Sequence, residues 1–139
     1  MKVFKTKFAV LAGTNYKETS KKAFAFYNEI RRKTKRRPYV RSAYFKKDKI
    51  FLELFWRHLY EKQNFRDKIR RIKFFPAAVE LIKNSRIEPV LIENPNKPGE
   101  MLYRFAGITN DDESFIVQIK AEKRDGKKWL MSVFPGKLF

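Results

Sequence analysis

The sequence predicts an α+β fold in which N-terminal helices pack on one face of a C-terminal antiparallel β-meander. Three observations predict it. Apolar residues recur at three- and four-residue spacings up to about residue 86 and at every second position beyond it. The pair Asp125-Gly126 sits between two alternating segments, a strong hairpin signal. The chain has 139 residues, of which 43% are hydrophobic and 14 are Phe, enough for one core and one domain.

Taken in order, residues 3–12 read as a strand with Phe4, Phe8 and Val10 on one face, followed by a turn at Gly13-Thr14-Asn15. Residues 18–33 read as a helix, because Ala23, Phe26, Tyr27 and Ile30 share a face. The basic run that ends it suits the helix dipole, and Pro38 disfavours helical geometry at Arg37. A second helix is expected over 48–63, with Asp48 as N-cap and Leu52, Phe55, Trp56 and Leu59 as its stripe. A third is expected over 65–75. Pro76 then opens a fourth at its first position, packing through Val79, Leu81 and Ile82 and ending at about 84–86. Residues 87–92, interrupted by Pro89, read as an edge strand. After a loop at 94–99, strands are expected over 101–106, 114–121 and 128–134. The organisation implied is a basic N-terminal arm with one helix over 1–47 and helices plus sheet over 48–139, forming a single globular unit overall.

The formal net charge is +18, from 33 Lys+Arg against 15 Asp+Glu. Residues 1–50 hold 16 basic and 3 acidic residues, a balance of +13; the remainder carries only +5. Such an excess fits a polyanionic partner, since each phosphate contact releases condensed counterions. The expected partner is nucleic acid, with RNA preferred over DNA. Arg31, Arg32, Lys33, Lys35, Arg36 and Arg37 are the leading phosphate contacts. Arg66, Arg70 and Lys73 share one helical face, read either as a phosphate rail or as a solvated face beside an Asp67–Arg71 ion pair. With no cysteine, disulfides, thiolate metal sites and thiolate nucleophiles are excluded; with one histidine a zinc site is not expected, and neither is another metal or a cofactor. No apolar run reaches the ~20 residues a membrane span needs. Lys5 and Lys7 interrupt any secretory signal, so a cytoplasmic location without membrane partners is expected.

A three-residue hairpin loop at 124–126 would oppose Lys123 to Lys127. Counting back, Phe115, Val117 and Ile119 share the apolar face with Val133, Met131 and Trp129. Gln118, Lys120, Ser132 and Leu130 fall on the other face, where Arg104 joins them. The plain alternative for that cluster is ordinary strand polarity. His58 is the one side chain whose usual pKa suits proton shuttling near neutrality; its plain alternative is a histidine at the core edge with one hydrogen bond.

The helical stretch Phe55-Trp56-Arg57-His58-Leu59 and the strand stretches Tyr103-Arg104-Phe105-Ala106-Gly107, Phe115-Ile116-Val117-Gln118-Ile119-Lys120 and Trp129-Leu130-Met131-Ser132-Val133-Phe134-Pro135 resemble the barnase–EndoU–colicin–RelE superfamily of nucleases, its phage-type members above all. The resemblance covers roughly residues 48–135. It implies a metal-independent endoribonuclease of toxin type, with an antitoxin-like protein inhibitor as a further partner. RNA would be cleaved by attack of its 2′-hydroxyl, leaving a 2′,3′-cyclic phosphate. By this resemblance His58 is the acid or base, Arg104 and Lys120 stabilise phosphorane charge, and Ser132 orients a phosphate oxygen. The sheet lacks an evident glutamate base, a departure from that pattern. The alternative reading is a non-catalytic RNA- or DNA-binding module, a regulator or ribonucleoprotein component, using Tyr and Phe of the same sheet to stack bases.

Overall fold

Asn15 starts the first long helix by accepting a hydrogen bond from the Glu18 amide at 2.9 Å, so the helix begins two residues earlier than the expected residue 18. In the computed structural model, which describes residues 2–138, the chain runs through β1 (Phe4–Lys5), α1 (Tyr16–Lys33), β2 (Tyr39–Arg41), β3 (Lys49–Phe51), α2 (Glu53–Glu61), α3 (Phe65–Ile72), α4 (Phe75–Asn84), β4 (Val90–Glu93), β5 (Glu100–Ile108), β6 (Ser114–Glu122) and β7 (Lys128–Pro135). The α+β class is as the sequence predicts. Pro76 lies in the first turn of α4, where its missing N–H costs nothing. Asn64 caps α3 by accepting from the Arg66 and Asp67 amides.

The sheet is larger and more mixed than a meander. Strands β4, β5, β6 and β7 form the expected antiparallel set. β1 joins β5 in parallel and β3 joins β7 in parallel, with β2 antiparallel beyond it. The order is β1-β5-β6-β7-β3-β2, with β4 also on β5. Two expectations are corrected here. The predicted strand over 3–12 shrinks to Phe4–Lys5, and the predicted helix from Asp48 starts only at Glu53. Residues 49–51 alternate Lys-Ile-Phe, and burying Ile50 fully while pairing Phe51 with Trp129 makes strand the better use of them. Asp48 does not cap α2; its carboxylate takes Lys128 Nζ at 2.9 Å.

All four helices contribute to one apolar cluster on one side of the sheet. Ala23 and Tyr27 of α1, Phe55 and Leu59 of α2, Ile72 at the end of α3, and Phe75 and Leu81 of α4 meet Phe105, Phe115, Val117, Ile119, Leu130 and Val133. Val40 and Ile50 extend the same cluster into β2 and β3. Residues 16–41 thus share the core of the later sheet. Among the described residues no helix is long and apolar enough to cross a membrane.

Candidate nucleic-acid interface

The face turned away from the helices is set by cross-strand register. Arg104 lies opposite Gln118, and Gln118 opposite Ser132, so three of the predicted polar residues form one row. Lys120 lies one row along, opposite Leu102 and Trp129. That last pairing differs from the expected one. Gln118 pairs with Ser132 but Ile119 pairs with Leu130, so Met131 is an extra residue, a β-bulge. The turn compensates. Gly126 N bonds the Glu122 carbonyl at 2.9 Å and Glu122 N bonds the Lys127 carbonyl at 3.0 Å, which makes the loop four residues long. Lys123 therefore does not oppose Lys127. Between bulge and turn every side chain of β7 is flipped relative to the expectation: Leu130 is fully buried in the core, and Trp129 emerges on the open face.

Trp129 starts an aromatic row. Its parallel neighbour Phe51 lies 5.2 Å away between ring centroids, and Tyr39 on β2 lies 6.4 Å beyond Phe51. Cations crown the row. The Arg37 guanidinium is 4.5 Å from the Trp129 ring centroid and 5.2 Å from that of Phe51, held there by an ion pair with Glu53. Lys49 Nζ is 4.7 Å and the Arg41 guanidinium 5.5 Å from the Tyr39 ring. Each of the three residues is half-buried, and the Trp129 Nε1 is buried without a hydrogen-bond partner.

Arg104 is aimed by its neighbours. Its Nε donates to Gln118 Oε1 at 2.7 Å, and Gln118 Nε2 donates to Met131 Sδ at 3.3 Å. Gln118 is buried and engaged at both ends, so it braces Arg104. Lys120 is different. Its Nζ lies 3.3 Å from Glu100 Oε2 and 3.9 Å from Glu122 Oε1, with only 16% of the side chain exposed. Asn94 Nδ2 and Lys97 Nζ also reach Glu100. Two carboxylates take up the charge that a phosphate would need. Glu100, pointing to this face beside Lys120, is the carboxylate the sequence reading missed.

His58 stands apart. It lies on α2, which follows β3 along the outer edge of β7, and its Nδ1 is 3.2 Å from the carbonyl oxygen of the bulged Met131. A carbonyl can only accept, so Nδ1 carries the hydrogen. Among the described residues His58 makes no hydrogen bond with Arg104, Gln118, Lys120 or Ser132; its link to their row is the Met131 backbone. Ser132 holds its place in the row by register alone.

The remaining basic candidates divide. Arg31, Arg32, Lys33, Lys35, Arg36 and Arg37 are all exposed around the end of α1. Arg66 and Arg70 are exposed on α3, whereas Lys73 is half-buried with its Nζ 5.4 Å from the Phe74 ring centroid. The Asp67–Arg71 pair is present at 3.3 Å. Among the described residues no cluster of His, Cys, Asp and Glu could hold a metal ion. Comparison of the chain with protein-family models, with curated proteins and with solved structures finds no match.

Proposed function

We propose that this chain binds single-stranded RNA on the open face of its sheet, in the cytoplasm. The observation that carries this reading is the row Trp129–Phe51–Tyr39 with Arg37, Arg41 and Lys49 set over its rings. Bases stack on aromatic rings at about 1–3 kcal/mol each; here they would take the places of the cations over the rings, which would turn to the backbone phosphates. A duplex hides its base faces, so the platform favours single strands. The excess of +18 supplies attraction without sequence preference. The test is affinity for a single-stranded 12-mer against the same sequence as duplex. Trp129→Ala with Phe51→Ala should weaken the single strand about tenfold or more and leave the duplex nearly unchanged. Unchanged single-strand affinity in the folded double variant would place binding elsewhere.

A second reading, the metal-independent ribonuclease of the barnase–EndoU–colicin–RelE type, has one observation in its favour. Glu100 provides a carboxylate on the face that carries Arg104 and Lys120, and so a candidate base for the 2′-hydroxyl. In this reading Arg104 and Lys120 hold the phosphate and a protein inhibitor would cover the face. The commitment of the His58 Nδ1 to the Met131 carbonyl and the double pairing of Lys120 make it the lesser reading. Incubating mixed RNA with the protein in EDTA decides: 2′,3′-cyclic phosphate ends, lost in Glu100→Gln, favour the enzyme, and retained intact RNA favours the binder.

A further inference from the structure

The basic run after α1 carries more than a diffuse charge. Arg37 lies over Trp129 and Phe51, at one end of the aromatic row. The residue before it, Arg36, has a left-handed backbone with φ of 67°, a conformation that side-chain-bearing residues seldom adopt. Arg36 lines a pocket of about 320 Å³ together with Arg31, Arg32, Asn28 and Pro38. Arg31 Nη1 donates to Asn28 Oδ1 at 3.3 Å, and its guanidinium lies 5.8 Å from the Tyr27 ring. Arg32 pairs with Glu29 at 2.8 Å. Among the described residues Arg31 and Arg36 form no ion pair. Three guanidiniums against that one carboxylate leave two formal positive charges in excess around a single small pocket, offset only in part by the negative end of the α1 dipole.

An internal RNA phosphate brings one negative charge. A phosphate monoester brings close to two near neutral pH, with three acceptor oxygens suited to guanidinium forks. We propose that this pocket holds the terminal phosphate monoester of a nucleic-acid strand whose adjoining bases stack on Tyr39, Phe51 and Trp129. The strand part of the inference rests on the single-strand reading above; the phosphate part stands on the pocket. Arg36 and Tyr39 are three peptide units apart, at most about 11 Å, so the two sites adjoin. Pro38 between them fixes its own φ and restricts Arg37.

The test uses the full chain and three 12-mer RNAs of one sequence, ending in a 5′-phosphate, a 3′-phosphate or hydroxyls only. Two mononucleotide arms accompany them: 5′-AMP and 3′-AMP, each against adenosine. The readout is the ratio of phosphorylated to hydroxyl affinity within one protein. One phosphorylated end should bind about tenfold or more tighter than the hydroxyl RNA, which identifies the end recognised. In Arg36→Gly that ratio should fall to near one. Glycine accepts the left-handed backbone freely, so this variant should melt at or above the wild-type temperature. Arg36→Lys should keep only part of the ratio, because an ammonium lacks the fork. A phosphate preference for AMP that depends on Arg36, with no RNA binding at all, would keep the pocket and sink the single-strand reading. Equal affinity for all three RNAs and for AMP and adenosine would overturn the pocket and leave the platform standing. A phosphate preference that survives Arg36→Gly would also overturn it, because the phosphate would then lie elsewhere.

Discussion

His58 shows how one hydrogen bond changes a residue's meaning. As the only histidine it invites a catalytic role, yet its Nδ1–H is committed to the carbonyl of Met131, the residue the bulge leaves without a partner on β6. Replacing it with Ala removes that bond and part of the packing between α2 and β7. The variant should lose about 1–3 kcal/mol in urea unfolding, with RNA affinity per folded molecule unchanged. A drop in affinity without a drop in stability would return His58 to the binding site. Lys120 makes a parallel case. It and Glu100 are nearly buried as a pair, and removing one member leaves the other uncompensated. Lys120→Met should cost about 3 kcal/mol, and adding Glu100→Gln should recover part of that. Recovery in the double variant would mark the pair as architecture, whereas a single variant as stable as wild type would show that Lys120 is free for a ligand.

At the scale of elements, the bulge in β7 and the short strand β3 together create the aromatic row. Without Met131 as an extra residue, Trp129 would point into the core and Leu130 outward, as simple alternation demands. Alternation made β5, β6 and β7 legible, and with them the row Arg104–Gln118–Ser132, because beyond the bulge the assumed and actual registers coincide. It could not reveal the bulge, since an insertion of one residue leaves no mark when the loop is one residue longer too. Phe51 was hidden for another reason. Residues 49–51 run straight into the stripe Leu52, Phe55, Trp56 and Leu59, and three residues of strand cannot outweigh a helical period that follows without a break. Glu100 falls between the expected loop at 94–99 and the expected strand at 101–106, and β5 takes it in by pairing it with Glu122. The close contact of β5 with α4 offers a direct check. A Cβ on Gly107 would lie 2.6 Å from Phe115 Cζ and 2.8 Å from Leu81 Cδ1, both side chains buried. Gly107→Ala should therefore destabilise by about 1–3 kcal/mol, read as a lower unfolding midpoint at unchanged slope. An unshifted midpoint would mean that α4 sits farther from the sheet.

For the molecule as a whole, charge and aromatic burial act together. Burial pushes the phenols of Tyr16, Tyr27 and Tyr44 above their usual value near 10, in Tyr27 against an opposing pull from Arg31. The fold favours the neutral phenol, so this stability is fully present below about pH 10 and is lost as pH rises through the raised values. Phenolate absorbance of the folded chain should rise at higher pH than that of the chain in urea; overlapping curves would contradict the burial of these rings. Three cations beside the platform, Arg37, Arg41 and Lys49, set the salt response. The log–log slope of single-strand affinity should be about −2 or steeper, and a slope near zero would remove phosphate contact from the account. The most direct measurement is tryptophan fluorescence during titration with single-stranded RNA, because the two tryptophans lie on opposite faces of the sheet, Trp56 buried and Trp129 half-buried. Trp56 is 4% exposed within the helical core, and Trp129 lies on the open face. The account predicts saturable quenching that persists in Trp56→Phe and disappears in Trp129→Phe. RNA binding with no quenching, or quenching retained in Trp129→Phe, would contradict it.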